Sequence, residues 1–286
     1  MKTIMVFALA LQFSAVALAQ TVSSSVLATP QIADVRSGDL HLKGYFWKPA
    51  GRGPFPAILF NHGSGADDPQ HTAGRTMAEA ASDLAPVFLR HGYAFLYLCR
   101  RGQGLSADQG PFTQDLLKQA ETKGADARKQ LHYQLITGTQ LDDALAGLTF
   151  LKTVREIDPK RIAIVGHSFG GMLTLLSGDH DSTIRAEVAF AAGANSWRAS
   201  QELRDRTLAV VGKTATPIML VYAANDYDTT PGKDISAELD RLHKSHLLKI
   251  YPPIGKTSDD GHSLLYLGVS EWEPDVFHFL DDNVKH

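Results

Sequence analysis

Short apolar runs rich in Val, Ile, Leu and Phe alternate with amphipathic segments along most of this chain, and that alternation leaves few folds open. Residues 56–61 (PAILFN), 93–99 (YAFLYLC), 161–165, 186–192, 218–223 and 247–251 read as strands apolar enough to be buried on both faces. Between them lie helical patterns. Residues 75–91 form one, closed by Gly92, and Leu141, Leu145, Leu148 and Leu151 mark the apolar face of another. Asp158-Pro159 turns the chain, and residues 169–177 form a helix with Gly178 as its C-terminal cap. Ile235, Leu239 and Leu242 mark a further helix. Trp272, Val276, Phe279 and Leu280 mark the last, with Pro274 in its first turn. Such alternation predicts an α/β fold, a mostly parallel central sheet with helices on both faces. Residues 26–48 add antiparallel edge strands. A chain of 286 residues, 44% of them hydrophobic, can bury one large core without metals or disulfides.

The N-terminus reads differently. Lys2 precedes an apolar run from Ile4, which ends Ala17-Leu18-Ala19 before the polar Gln20. This is the layout of a cleavable signal peptide, residues 1–19, with the cut after Ala19. The run falls short of the roughly 20 residues a spanning helix needs. A secreted or periplasmic protein with no stable membrane anchor after cleavage is expected. Cys99 is the only cysteine, which excludes an intramolecular disulfide and any multi-cysteine metal site. With 28 basic and 31 acidic residues the net charge is −3, which argues against nucleic acid as a partner. Residues 107–137 are polar and longer than an ordinary connection. They read as an insertion over one face of the sheet, either a lid or a surface helix.

Chemistry concentrates in Gly166-His167-Ser168-Phe169-Gly170, which fits G-x-S-x-G between a predicted strand and a predicted helix. The glycines let strand and helix approach while the serine hydroxyl projects from a strained turn at a helix N-terminus. A serine hydroxyl needs a base. His262 is the candidate, because it lies in a polar loop between the last predicted strand and the last predicted helix. The acid that orients it should follow the strand at 218–223. Asp226, nearer the strand end, is preferred over Asp228, which is read as a turn or helix-cap residue. An oxyanion hole needs two N–H donors. The Phe169 amide is one and the Ser64 amide the other, with Gly63 as the alternative to Ser64. His62 reads as a structural loop residue, Arg100-Arg101 as a structural ion-pair site or a pocket lining, and Cys99 as a buried thiol.

Together these residues resemble the α/β-hydrolase superfamily from about Leu40 to Lys285. Asn61-His62-Gly63, Cys99-Arg100-Arg101-Gly102-Gln103-Gly104, Gly166-His167-Ser168-Phe169-Gly170-Gly171, Ala224-Asn225-Asp226 and Asp260-Gly261-His262 are similar to its dienelactone hydrolase-like branch. The namesake enzymes carry a cysteine nucleophile where this chain has Ser168. The resemblance implies one α/β-hydrolase domain over residues 20–286. The expected function is a serine carboxylic-ester hydrolase (an esterase) acting on a small-molecule ester with Ser168, His262 and Asp226, and calling for no metal or organic cofactor. A serine peptidase or amidase on the same triad is the alternative. A non-catalytic binding protein on the same fold is a third reading.

Overall fold

The computed structural model describes residues 29–65, 71–72 and 74–286. The expected signal peptide, its cleavage point at Ala19 and the start of the 26–48 segment lie outside the described residues. Eight strands form the main sheet: β1 (Gln31–Ser37), β2 (Leu40–Trp47), β3 (Phe55–Asn61), β4 (Ala94–Leu98), β5 (Ile157–His167), β6 (Ile184–Phe190), β7 (Ile218–Ala223) and β8 (His246–Tyr251). Their order is β1-β2-β4-β3-β5-β6-β7-β8. β2 pairs antiparallel with both β1 and β4, and all the other pairs are parallel. The antiparallel strands expected early in the chain are therefore present, at one edge of a mostly parallel sheet.

Period-two alternation divides the core. Phe95, Tyr97, Ala163, Val165, Met219 and Val221 point to one face of the sheet. There they meet α1 (Met77–Arg90) and α11 (Val269–Leu280). Leu96, Leu98, Ile162 and Ile164 on the opposite face pack with Leu148 and Leu151 of α4 (Thr139–Thr153). Ile218 and Leu220 on that same face pack with Leu173 and Leu176 of α5 (Phe169–Ser177) and Val210 of α7 (Gln201–Lys213). Because both faces are covered, the central strands read as unbroken apolar runs rather than as alternating ones.

Four local readings change. Gly178 follows α5 at φ −62, in the right-handed region, so its lack of a Cβ serves packing rather than a left-handed cap. A Cβ there would sit 2.7 Å from Glu187 Oε1. Asp158-Pro159 turns the chain only within β5, as a bulge in which the Lys160 N–H donates to Asp158 Oδ1 at 2.9 Å. α11 begins at Val269, so Pro274 falls past its first turn. His262 is not in a loop: it ends a one-turn helix, α9 (Ser258–His262). That turn exists because Thr257 and Asp260 form a reciprocal capping box. The 107–137 insertion folds as two helices, α2 (Thr113–Glu121) and α3 (Ala125–Thr137).

Candidate active site

The site sits at the C-terminal ends of the parallel strands, where β5 runs directly into α5. Ser168 occupies this junction with φ 56 and ψ −116. A non-glycine residue with positive φ is strained, at a cost of order 1–3 kcal/mol. Its surroundings hold it there. The Ser168 N–H donates to the Phe190 carbonyl at 2.8 Å. A Cβ on Gly166 would lie 2.2 Å from the Gly170 carbonyl oxygen, and one on Gly170 would lie 2.0 Å from the Asn61 carbonyl oxygen. Both glycines of the motif are thus required by close backbone approach.

His262 and Asp226 reach this serine from two other strand ends. Ser168 Oγ lies 2.9 Å from His262 Nε2, and His262 Nδ1 lies 2.8 Å from Asp226 Oδ1. A carboxylate can only accept, so Nδ1 carries the proton and Nε2 presents its lone pair to the serine hydroxyl. The Asp226 side chain is only 1% exposed, and its Oδ1 also accepts the Tyr227 N–H at 2.7 Å. Asp228 points elsewhere. It accepts the Thr230 N–H at 2.9 Å at the start of α8 (Thr230–Arg241), and Arg198 Nε at 2.8 Å. The structure therefore brings Asp226, and not Asp228, to His262.

Asn225 ties the two loops together. Its amide donates to the Ile254 and Thr257 carbonyls at 2.8 and 2.7 Å, and its Oδ1 accepts the Ile254 N–H at 2.9 Å. Gly261 makes this approach feasible, since a Cβ there would meet Asn225 backbone at 2.6 Å. Sequence reasoning passed over His167. Its Nε2 donates to the His262 carbonyl at 2.8 Å, which anchors His262 from the residue next to Ser168. Burial and the adjacent His262 bring its pKa down to about 3, against the upward pull of the bond to the His262 carbonyl, so it stays neutral. The only signal in the sequence was its place inside the motif. Tyr227 lays its ring 4.6 Å from that of His262.

A cavity of about 400 Å³ opens over the serine. Ser64, Phe169, Tyr227 and His262 line it, as do Leu117 of α2 and Arg128 and His132 of α3. The insertion thus contributes directly to the site's wall. Burial and the nearby Arg128 charge bring His132 down to about 4, so a neutral imidazole faces the cavity. Phe169 is the first residue of α5, so its N–H has no acceptor within the helix and stands at the helix's partly positive N-terminal end. Ser64 shares the cavity wall with Ser168, while a Cβ on Gly63 would lie 3.7 Å from Ser168 Cβ. Arg101 makes the expected ion pair, to the buried Asp143, at 2.6 Å. Cys99 is buried, and burial pushes its thiol up to about 12, which leaves it unreactive.

The family profile of dienelactone hydrolases matches residues 72–257. The chain belongs to the dienelactone hydrolase family. Within this family member the matched segment holds Ser168 and Asp226 but neither Ser64 nor His262, whose placement rests on the geometry above. The chain is 25% identical over 201 residues to the quorum-quenching protein AidA of Acinetobacter baumannii, covering 66% of this chain and 56% of that protein. Its fold is similar to Pyrococcus horikoshii acylaminoacyl peptidase, with TM-score 0.62 and 18% identity over 91% of this chain and 42% of that one. It is also similar to a dienelactone hydrolase from Anabaena variabilis, with TM-score 0.56 and 18% identity over 87% of this chain and 99% of that one. The shared architecture is that of the α/β hydrolases. The chain spans little more than half of the curated relative and less than half of the peptidase.

Proposed function

We propose that this dienelactone hydrolase family member is a serine hydrolase that cleaves carboxylic esters through an acyl-enzyme. The supporting observation is the continuous chain from Ser168 Oγ through His262 to Asp226, with links of 2.9 and 2.8 Å, at the floor of a cavity. Ser168 Oγ attacks the ester carbonyl as His262 Nε2 takes its proton. Asp226 holds the imidazole in the required tautomer and stabilises the imidazolium. The carbonyl oxygen becomes an oxyanion facing the Phe169 and Ser64 amides. As the C–O bond to the alcohol breaks, His262 returns the proton to the leaving oxygen. Water then enters, gives a proton to His262, and releases the acid and the free serine by the same steps in reverse.

Proton transfer by a positioned base contributes typically 10²- to 10⁴-fold, and each oxyanion donor about 10²- to 10³-fold. The reading also includes export through the N-terminal segment and cleavage after Ala19. Turnover of 4-nitrophenyl esters of graded acyl length by wild type and Ser168→Ala tests the chemistry. Wild type should turn over at least one ester and the variant should lose about 10⁴-fold or more. Equal rates for the two proteins would overturn the proposal.

A further inference from the structure

Arg100 follows β4 and is 1% exposed, yet its hydrogen bonds go to neutral oxygens. Nη1 donates to the His62 carbonyl, Nη2 to the Gly63 carbonyl and Nε to Gln140 Oε1, each at 2.9 Å. The neighbouring Arg101, not Arg100, takes the carboxylate of Asp143. Burying a guanidinium is costly. It is offset here by what the planar fork can hold, two successive carbonyls of one loop. His62 adds to the grip. Its Nε2 accepts the Arg100 N–H at 3.3 Å, so its Nδ1 carries the proton and donates to the Gly63 carbonyl at 2.7 Å. Burial and the Arg100 charge keep this imidazole neutral. The next carbonyl, Ser64, accepts Gln103 Nε2 at 2.7 Å.

These bonds fix the loop's peptide planes. In a trans peptide the C=O and N–H point to opposite sides, and the Gly63–Ser64 bond is trans. The Gly63 carbonyl, held by two donors on its inner side, forces the Ser64 N–H outward. Ser64 and Ser168 line the same cavity, and an outward Ser64 N–H would face it. The guanidinium carbon also lies 5.4 Å from the Phe169 ring centre, so the same side chain packs on the residue that carries the other amide. A cation behind the Gly63 carbonyl further polarises that peptide and strengthens its N–H as a donor.

We propose that Arg100 is a positioning residue for the oxyanion hole: by holding the His62 and Gly63 carbonyls inside the fold, it aims the Ser64 N–H at the oxygen that becomes negative during attack by Ser168. The proposal rests on the serine-hydrolase reading above. It assigns Arg100 no contact with substrate.

The test compares wild type, Arg100→Met, Arg100→Lys and Ser168→Ala, with rates expressed per mole of folded protein. In Arg100→Met, kcat should fall about 10²-fold, the loss expected for one misaimed donor, with KM within a few-fold. Affinity for a boronic acid, which forms a tetrahedral adduct on the serine, should fall by a comparable factor. The pH–rate profile should keep its shape, because the His262–Asp226 pair is untouched. Arg100→Lys, able to hold one carbonyl, should fall between the two. Unchanged kcat and boronate affinity per mole of folded protein, with only a lowered melting temperature, would make Arg100 merely structural and overturn the proposal. If Arg100→Met does not fold, Gln140→Leu frees Nε and should lower kcat and boronate affinity together; no change in either is equally fatal. Ser168→Ala separates the two ideas. Wild-type turnover in that variant sinks the serine-hydrolase reading itself, whereas an inactive Ser168→Ala beside an unaffected Arg100→Met sinks only the role of Arg100.

Discussion

Replacing Asp226 with Asn probes both the choice of acid and the reason for it. Asp226 Oδ1 accepts two donors, the Tyr227 N–H at 2.7 Å and His262 Nδ1 at 2.8 Å, whereas Oδ2 is buried with no hydrogen-bond partner among the described residues. An asparagine can be placed in two ways. With its oxygen at the Oδ1 position it keeps both bonds, but its NH₂ is buried without an acceptor, at about 1–3 kcal/mol. With the amide flipped, the NH₂ faces the Tyr227 N–H and donates to His262 Nδ1. That imposes the wrong tautomer and puts a proton, not a lone pair, opposite Ser168 Oγ. In either placement no negative charge remains to stabilise the imidazolium. A loss of about 10⁴-fold in kcat follows, equivalent to roughly 5.4 kcal/mol of transition-state stabilisation. Asp228→Asn is the matched control. It weakens the bonds to Arg198 and the Thr230 N–H, so it should lower the melting temperature by a few degrees while kcat stays within a few-fold. Steady-state ester hydrolysis with thermal melts on both variants decides the matter. Activity retained in Asp226→Asn and lost in Asp228→Asn would refute the assignment.

Other expectations follow from particular contacts. Gly170→Ala places a methyl 2.0 Å from the Asn61 carbonyl oxygen, so it should displace the elbow, lower kcat by 10²-fold or more and reduce the melting temperature; wild-type values for both would refute the steric account. His167→Leu removes the Nε2–H that holds the His262 carbonyl and should lower kcat about 10- to 100-fold, with part of the loss restored in His167→Gln; indistinguishable kinetics in Leu, Gln and wild type would remove His167 from the site's support. Glu187 is fully buried on β6 with neither carboxylate oxygen hydrogen-bonded among the described residues, and burial, then the charge of Asp179, raises its pKa well above the ordinary value. Folded protein then holds this proton more tightly than unfolded protein. Its contribution to stability is complete below the unfolded carboxyl pKa of about 4.3 and is lost as pH rises from there through the folded pKa. Glu187→Gln removes that dependence, so its stability relative to wild type should grow by about 1.4 kcal/mol per pH unit over that window; denaturant unfolding from pH 4 to 8 that shows a constant difference would contradict it.

The elbow was legible because its constraints are local. Strand, glycine, serine, glycine and helix are consecutive, and the sterics that demand both glycines act within ten residues or at the neighbouring strand end. The sheet was legible for a related reason: strands covered on both faces leave uninterrupted apolar runs. His262 was singled out from its position late in the chain, and the fold does bring it to Ser168, but its helical setting was missed. The signal was present as Thr257-Ser258-Asp259-Asp260, a capping box with Asp where Glu or Gln is usual. The choice of Asp226 over Asp228 depends on which of two nearby carboxylates faces α9, and only tertiary packing sets that direction. Arg100 and His167 were opaque for the same reason. Each acts through backbone carbonyls of residues far from it in sequence, 37 positions for Gly63 and 95 for His262. Composition carries no trace of such bonds.

The central claim is that Ser168 is the nucleophile. Its most direct test is a fluorophosphonate probe applied to the folded wild-type protein and to Ser168→Ala, with the adduct located by peptide mass spectrometry. A single adduct on Ser168 in wild type, blocked by prior incubation with a turned-over ester and absent from the equally folded variant, is the predicted result. An adduct on another residue, or ester hydrolysis that persists in the variant without labelling, would contradict the account.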